Sequence, residues 1–289
     1  MKRFYNNPSC ESRAKTLQEL NLIDSFLFGA STEKPQNAEF IAKLIIERAT
    51  GRKVGKVSVV SEKTLSGIDM RYHGIRMDLY IEEYANEQMV RVYDIEPNKY
   101  GKSELAMRSR YSQAITDVKL LNTREEYMAL PEYISIWILP YDPFGQNRML
   151  YTVQNFVAED TQIVYNDGVK KLFLYTGGEV GGNEELKSLL HYFSKSDANS
   201  VVDSGLGQLH SIVETVRSNR KVGERFMTVQ DMINYEKKES FEEGIRQGIY
   251  NLISSLKELN ISEEQISKKL MDKYSLSQEE AKTYLNQSN

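Results

Sequence analysis

Two neighbouring segments with a two-residue hydrophobic period constrain the fold of this chain more than any other feature. The segments are IRMDLYIEEY (75–84) and QMVRVYDIEPN (88–98), and only residues 85–87 lie between them. Alternating apolar and polar residues are typical of strands that bury one face. A connection this short joins two strands into an antiparallel hairpin. The sequence therefore predicts a β-hairpin over residues 75–98.

The position of the turn decides which residues of the hairpin face each other. A turn near Glu87 pairs Leu79 with Ile95 and Ile81 with Tyr93. These four apolar side chains then share one face, which can cover a core. The opposite face of the hairpin is expected to lie off the core.

That opposite face carries two acidic residues at opposed positions, Asp78 and Glu96. Opposed side chains in a hairpin have Cβ atoms about 5 Å apart, so two carboxylates there repel each other unless a cation neutralises them. A divalent metal ion could supply the charge, and so could Arg76 without any metal. The remaining pairs on this face are Tyr80 with Asp94 and Arg76 with Asn98.

A simpler interpretation of the two acidic residues stays open, namely that they are solvated strand residues without a function. Short patterns of this kind often match by chance. The pairing also assumes a regular ladder, and Pro97, beside Glu96, donates no ladder hydrogen bond.

The rest of the chain places the hairpin inside an α/β domain. Periodicity predicts a helix over 37–50 and a strand over 54–62 before it, then a helix over 103–123 and a buried strand over 133–140 after it. Further strands are predicted over 150–157 and 170–176, and helices from 183 onward. The predicted order is α-β-β-β-α-β, followed by extra strands and a helical tail.

This order predicts three regions: an α/β domain over 15–183, a helical extension over 184–225 that packs on it, and a C-terminal tail over 226–289. Ser262 and Ser277 are expected to cap the last two helices. Apolar residues of the tail could form a seam for self-association, or a small bundle within one chain. They are Ile233, Phe241, Ile245, Ile249, Leu252, Ile253 and Leu256.

Composition narrows the chemistry that is open to this chain. The single cysteine, Cys10, excludes an internal disulfide and a cysteine-rich zinc site, and the three histidines are far apart in sequence. Any metal must therefore be held mainly by carboxylates, which favours Mg²⁺ or Mn²⁺. The net charge of −4 means that a nucleic-acid partner requires locally concentrated positive charge. No apolar run has the length of a membrane helix or of a signal peptide core, so we expect a cytoplasmic protein without a membrane partner.

Several stretches of the chain resemble one family of nucleases. They are IRMDLYIEE, VYDIEPNK, RSRYSQAITD, ISIWILPYDPFGQNRMLYTVQN and KKLFLYTGGEVGGN, which together span roughly residues 24 to 183. In this region the sequence resembles the PD-(D/E)XK nuclease family transposases, also called recombination-promoting nucleases. The resemblance implies a restriction-endonuclease-like αβββαβ core with extra strands, and DNA cleavage linked to mobile elements or recombination.

The resemblance also implies roles for individual residues. Asp78 and Glu96 match the acidic positions of the motif and would both hold Mg²⁺ or Mn²⁺. The third motif position, lysine in many nucleases and often glutamine in this family, is Asn98 here, which can orient a water but brings no charge. Lys102 could supply the missing charge, as could Lys99. Some nucleases take a further acid from the first helix or its approach, for which the candidates are Asp24, Glu39 and Glu47.

Basic and polar residues around the hairpin are candidates for binding the backbone of double-stranded DNA. They are Arg76, Lys99, Arg108, Arg110 and Gln113. Arg108 and Arg110 point about 200° apart on a helix, so the two cannot grip the same phosphate. A solvated helix face is the alternative for each of them.

Three functions follow from these observations. The first is a metal-dependent DNA endonuclease, and the second is a nuclease fold that has lost catalysis and binds DNA or protein. The neutral Asn98 and the acidic pI of about 5.7 favour the second. The third is an interaction protein that works through its helical tail. Removal of the tail should then abolish function while the preceding domain stays folded.

Overall fold

The computed structural model describes residues 15–66, 73–97 and 101–287. The chain divides into two compact units, one over Thr16–Gly223 and one built around Glu224–Asn289. The boundary lies two residues before the predicted start of the tail at 226. None of the described helices combines the length and the apolar character needed to cross a membrane.

The first unit is a mixed α/β structure around a six-stranded sheet. Its elements, in chain order, are α1 (Ser25–Thr32), α2 (Pro35–Thr50), β1 (Lys56–Leu65), β2 (Ile75–Ala85), β3 (Gln88–Pro97), α3 (Leu105–Leu120), β4 (Glu132–Leu139), β5 (Leu150–Val153), β6 (Phe156–Val157), β7 (Asp160–Val164), β8 (Val169–Tyr175), α4 (Glu184–Ser194) and α5 (Ser204–Arg217). The strand order in the sheet is β1-β2-β3-β4-β8-β5. The first three strands form an antiparallel meander, β3, β4 and β8 run parallel, and β5 pairs antiparallel with β8.

Helices cover this sheet on both faces. α1 and α2 pack against β1 and β2, while α3 packs against β1 and β4. Leu79, Ile81 and Ile95 are fully buried, as expected for the apolar face of the hairpin. The prediction that the other face lies off the core is wrong, because α3 covers this face and Ser112 of α3 donates to Asp94. The carboxylate face is therefore a second, polar interior.

The strand predicted over 150–157 is interrupted. β5 ends at Val153, and Phe156 begins a separate two-stranded ribbon with β7. Asn155 fixes this break, since its carbonyl accepts from Tyr165 N–H at 3.0 Å and its side chain donates to Asp167 at 2.7 Å. β7 has no buried residue, so it carries no alternating pattern that would predict it.

The helices α4 and α5 belong to the same unit. α4 contacts α2, and α5 contacts α1. Arg48 of α2 joins them, because its guanidinium donates to both carboxylate oxygens of Asp203 at 2.8 and 2.9 Å and to the Glu185 carbonyl at 3.0 Å. A buried arginine with a bidentate carboxylate partner fixes the relative position of the elements it joins.

The second unit contains most of α6 (Arg220–Glu258), together with α7 (Glu263–Tyr274) and α8 (Gln278–Gln287). Its core is buried within one chain and consists of Ile249, Ile253, Ile266, Leu270, Leu276, Ala281, Tyr284 and Leu285. Two residues of the predicted seam are thus buried in an intramolecular bundle, while Phe241 remains 47% exposed. Ser262 accepts from Gln265 N–H, and Ser277 and Glu280 cap reciprocally, as predicted for these helix starts.

A matched pair of substitutions tests whether the two units unfold separately. Ile253→Val and Ile81→Val each remove one methylene from a fully buried site, and each should cost about 1 kcal/mol. We expect Ile253→Val to speed amide exchange only in peptides after 224, and Ile81→Val only in peptides before it. Native-state hydrogen exchange measures both. Faster exchange in both units from either variant would contradict the division.

Candidate functional site

The hairpin has the register that the sequence predicts. Leu79 faces Ile95, Tyr80 faces Asp94 and Ile81 faces Tyr93. The next positions along the two strands are Asp78 and Glu96, and the Asp78 backbone N–H donates to Glu96 Oε1 at 3.2 Å. The two acidic residues therefore lie side by side on the face that α3 covers.

The turn and one irregularity beside it together produce this register. Asn86 and Glu87 both have left-handed backbone conformations, with φ of 49° and 66°. Two such residues form the type I′ turn, whose twist matches that of the strands it joins. Beside the turn Ala85 pairs with Gln88 and Tyr84 with Met89, a register that would oppose Asp78 to Ile95 if it continued. The irregularity between Glu83 and Tyr84 shifts the pairing by one residue, and this shift brings Asp78 level with Glu96.

Polar residues continue from the hairpin into the parallel part of the sheet. Glu96 is opposite Trp137 of β4, and Asp94 is opposite Ser135. Side chains at opposed positions share a face of the sheet, so Asp78, Glu96 and Trp137 form one row beneath α3. Asp94 lies two residues before Glu96, in the neighbouring row.

Burial strongly affects the acidity of these carboxyl groups. Glu96 is 6% exposed and Asp94 is fully buried. Burial raises the pKa of Asp78 to about 6, although the charges of Arg76 and Arg108 oppose the rise. Burial, with the nearby charges of Asp94 and Asp78, raises the pKa of Glu96 well above its usual value. Mutual repulsion in a dry site is what a bound cation would relieve.

Asp94 is a member of this cluster that sequence reasoning did not select. Its Oδ2 accepts from the Ser112 hydroxyl at 3.0 Å and from the Tyr133 hydroxyl at 3.1 Å. Its Oδ1 has no hydrogen-bond partner within the described part of the chain. Burial raises its pKa to about 6. The available signal was its position on the same strand face as Glu96, two residues earlier.

A cleft of about 690 Å³ opens beside Glu96, and neither Asp78 nor Asp94 is among the residues of its lining that the structure describes. Its lining consists of His73, Gly74, Ile75, Arg76, Glu96, Glu104, Met107, Arg108, Arg110, Tyr111, Ser112 and Trp137. Three arginines, Arg76, Arg108 and Arg110, outnumber the two described acids of this lining, Glu96 and Glu104, in a chain of net charge −4. The guanidinium carbon of Arg108 lies 5.7 Å from the centroid of the Trp137 ring.

The remaining predicted residues that the structure describes either have other partners or lie outside the cleft. Arg76 pairs with Glu62 at 2.6 Å, so Arg76 already has an acidic partner outside the Asp78–Glu96 pair. Gln113 donates to Asp117 at 3.4 Å, and Lys102 is exposed. Neither Gln113 nor Lys102 is among the described residues that line the cleft. Asn98 and Lys99 lie outside the described residues.

The three candidates for an additional acid have structural partners. Asp24 caps α1 by accepting from Phe26 N–H, Glu39 pairs with Lys43 at 2.9 Å, and Glu47 pairs with Lys53 at 2.8 Å. The structure instead brings Glu62 near the site, at a left-handed position in β1 with φ of 54°. Its negative charge contributes to raising the pKa of Asp78.

The capacity of this cluster for a metal can be judged from its donors. Within residues 15–66, 73–97 and 101–287, no three His, Cys, Asp or Glu side chains are grouped so that they could enclose an ion. Mg²⁺ does not require such a cage, because it keeps several waters and is commonly held by one or two carboxylates with substrate phosphates. Asp78 and Glu96 fit that mode of binding.

Comparisons of the chain with protein-family models, with curated proteins and with solved structures gave no match. A functional assignment therefore rests on the residues and their geometry.

Proposed function

We propose that this chain is a metal-dependent endonuclease of double-stranded DNA. In this proposal the first unit has the restriction-endonuclease-like αβββαβ core of the PD-(D/E)XK nuclease family transposases, and the protein acts in the cytoplasm on mobile elements or recombining DNA. The observation that carries the proposal is the hydrogen bond from the Asp78 backbone N–H to the Glu96 carboxylate. It joins two residues whose carboxyl groups have a raised pKa, and Glu96 lines a cleft that also contains arginines.

The reaction is hydrolysis of a phosphodiester. The water oxygen forms a new bond to phosphorus, one bridging P–O bond breaks, and protons exchange with solvent to leave a phosphate on one product and a hydroxyl on the other. Asp78 and Glu96 would hold Mg²⁺ or Mn²⁺, which when bound lowers the pKa of water and stabilises charge on the phosphate. Their negative charge and their burial provide a strong local preference for a divalent cation.

The cleft supplies the contacts to DNA in this proposal. Arg76, Arg108 and Arg110 lie at separate points of its wall. Contacts from arginine to backbone phosphates give affinity that does not depend on sequence and that falls as salt rises. The basic cleft meets the condition that the acidic overall charge imposes, since positive charge is concentrated beside the carboxylates.

The alternative is a nuclease fold that binds DNA or protein without cutting. The neutral Asn98 at the third motif position favours it, because the usual lysine charge is missing there. DNA cleavage distinguishes the two functions. A folded protein that binds duplex DNA in Mg²⁺ and Mn²⁺ but leaves it intact would have the alternative function.

The test is DNA cleavage by the purified full chain with a series of metals. Supercoiled plasmid and linear duplex are incubated with Mg²⁺, Mn²⁺, Ca²⁺ or EDTA. We expect nicked or linear product with Mg²⁺ and Mn²⁺, and none with EDTA. Intact DNA in every metal, from protein whose circular dichroism shows the folded state, would overturn the endonuclease assignment.

A further inference from the structure

The proposed site lacks the positively charged side chain that many nucleases have at the third motif position. Charge builds on the non-bridging oxygens of the phosphate while water attacks, and many nucleases stabilise it with a lysine at the third motif position. In this chain that position is Asn98. Lys102 is exposed and does not line the cleft, among the residues described. Another element also offers a cation.

α3 provides a candidate one turn from its start. Arg108 lines the cleft together with Glu96 and Trp137, and its guanidinium carbon lies 5.7 Å from the centre of the Trp137 ring. Trp137 is 1% exposed and lies opposite Glu96 in the parallel ladder, so its position is fixed by the sheet. An arginine over the face of a buried tryptophan is held by a cation–π contact.

We propose that Arg108 stabilises the negative charge of the phosphate during cleavage, and that Trp137 is the positioning residue that holds its guanidinium beside the Asp78–Glu96 pair. This inference rests on the proposed endonuclease function. It assigns Arg108 to the chemical step, whereas Arg76 and Arg110 serve DNA affinity.

The electrostatics of the cluster support this assignment. The charge of Arg108 lowers the pKa of Asp78, Asp94 and Glu96 against the larger effect of burial. One arginine therefore acts on all three carboxyl groups, which agrees with its place beside Glu96 in the lining of the cleft. Arg76, by contrast, is already paired with Glu62.

The experiment separates the chemical step from DNA affinity. Single-turnover cleavage at saturating DNA in Mg²⁺ is compared with the Kd for the same duplex in Ca²⁺, for wild type, Arg108→Gln, Arg108→Lys and Lys119→Gln. Lys119 is the control, since it is an exposed cation of the same helix outside the cleft, within the part of the chain described. Fluorescence of Trp137, the single tryptophan, reports on the stacking without any requirement for activity.

We expect Arg108→Gln to lower the cleavage rate roughly 100-fold, in the range seen when one stabilising donor is removed. Its Kd for DNA should change less than about 5-fold, and Trp137 emission should shift. Arg108→Lys should recover part of the rate, and Lys119→Gln should match wild type in all three measurements.

Three results would overturn the inference. If wild type cleaves and Arg108→Gln cleaves bound DNA equally fast, Arg108 is not the stabilising cation, although the endonuclease proposal stands. The same holds if rate and affinity fall in equal proportion with no change in Trp137 emission. If wild type cleaves no DNA in any metal, the proposed function fails and this inference fails with it.

Discussion

Replacing Glu96 by glutamine is expected to lower the rate of Mg²⁺-dependent DNA cleavage by roughly 10³-fold. Glutamine keeps the size of the side chain and its acceptor oxygen for the Asp78 N–H, which lies 3.2 Å away in wild type. It removes the negative charge that would attract the cation. Loss of a group that stabilises developing charge in a site without water typically lowers the rate of the reaction by roughly two to three orders of magnitude. Asp78→Asn should have a similar effect.

Glu82→Gln provides the matched control for this prediction. Glu82 lies on the same strand and the same face as Asp78, and it pairs with Lys63 at 3.6 Å. Four residues of extended strand separate it from Asp78, a distance of about 13 Å. Its neutralisation removes the same charge from the protein outside the site. The initial rate of plasmid nicking should stay near that of wild type, and equal losses from Glu82→Gln and Glu96→Gln would contradict the site.

Asp78→Asn is expected to stabilise the metal-free protein at pH 7.5 by roughly 2 kcal/mol. The pKa of Asp78 is about 6 in the folded protein, against 3.8 for an unperturbed aspartate. A carboxyl group whose pKa is raised by folding contributes its full stability below about pH 4 and loses it as pH rises through about 6. Each unit of pKa corresponds to about 1.4 kcal/mol, and partial exposure reduces the total. Asparagine does not ionise, so it avoids this loss.

The measurement is urea unfolding of both proteins in EDTA between pH 4 and pH 7.5. Wild type should lose stability over this interval, and Asp78→Asn should lose less. Addition of Mg²⁺ at pH 7.5 should then stabilise wild type, by about 2.7 kcal/mol at one hundred times the Kd, and leave the variant unchanged. A wild type that gains stability from pH 4 to pH 7.5 while the variant follows the same curve would show that Asp78 ionises freely.

Asp142 is a useful comparison, because its pKa shifts in the opposite direction. Burial alone would raise it, but hydrogen bonds from the Tyr151 hydroxyl and from the backbone N–H groups of Asn147, Gly145 and Phe144 outweigh burial and lower the pKa to about 2. Asp142→Asn should therefore destabilise the protein at neutral pH. Ionised Asp142 thus stabilises the folded protein, whereas ionised Asp78 destabilises it. Functional groups often carry such a cost in stability.

The hairpin and its carboxylate pair could be predicted from the sequence because their determinants are local. Alternation decides which residues share a face. The two-residue turn, together with the one-residue shift of register at Glu83 and Tyr84, decides which residues are opposed, and both lie between Asp78 and Glu96 in the chain. The caps at Ser262 and Ser277 are equally local, since each depends on a residue three positions away. These features need no knowledge of distant contacts.

Only the tertiary structure decided what surrounds them. The packing of α3 over the second face turned an expected open surface into an interior, and with it raised the pKa of Asp78, buried Asp94 and set Arg108 against Trp137. The sequence likewise allowed the tail residues Ile249 and Ile253 to pack either against a second chain or within their own chain. In the structure they pack within their own chain, against α7 and α8. An apolar face in the sequence predicts that something will cover it. The element that covers it lies far away in sequence, so its identity depends on the packing of the whole unit.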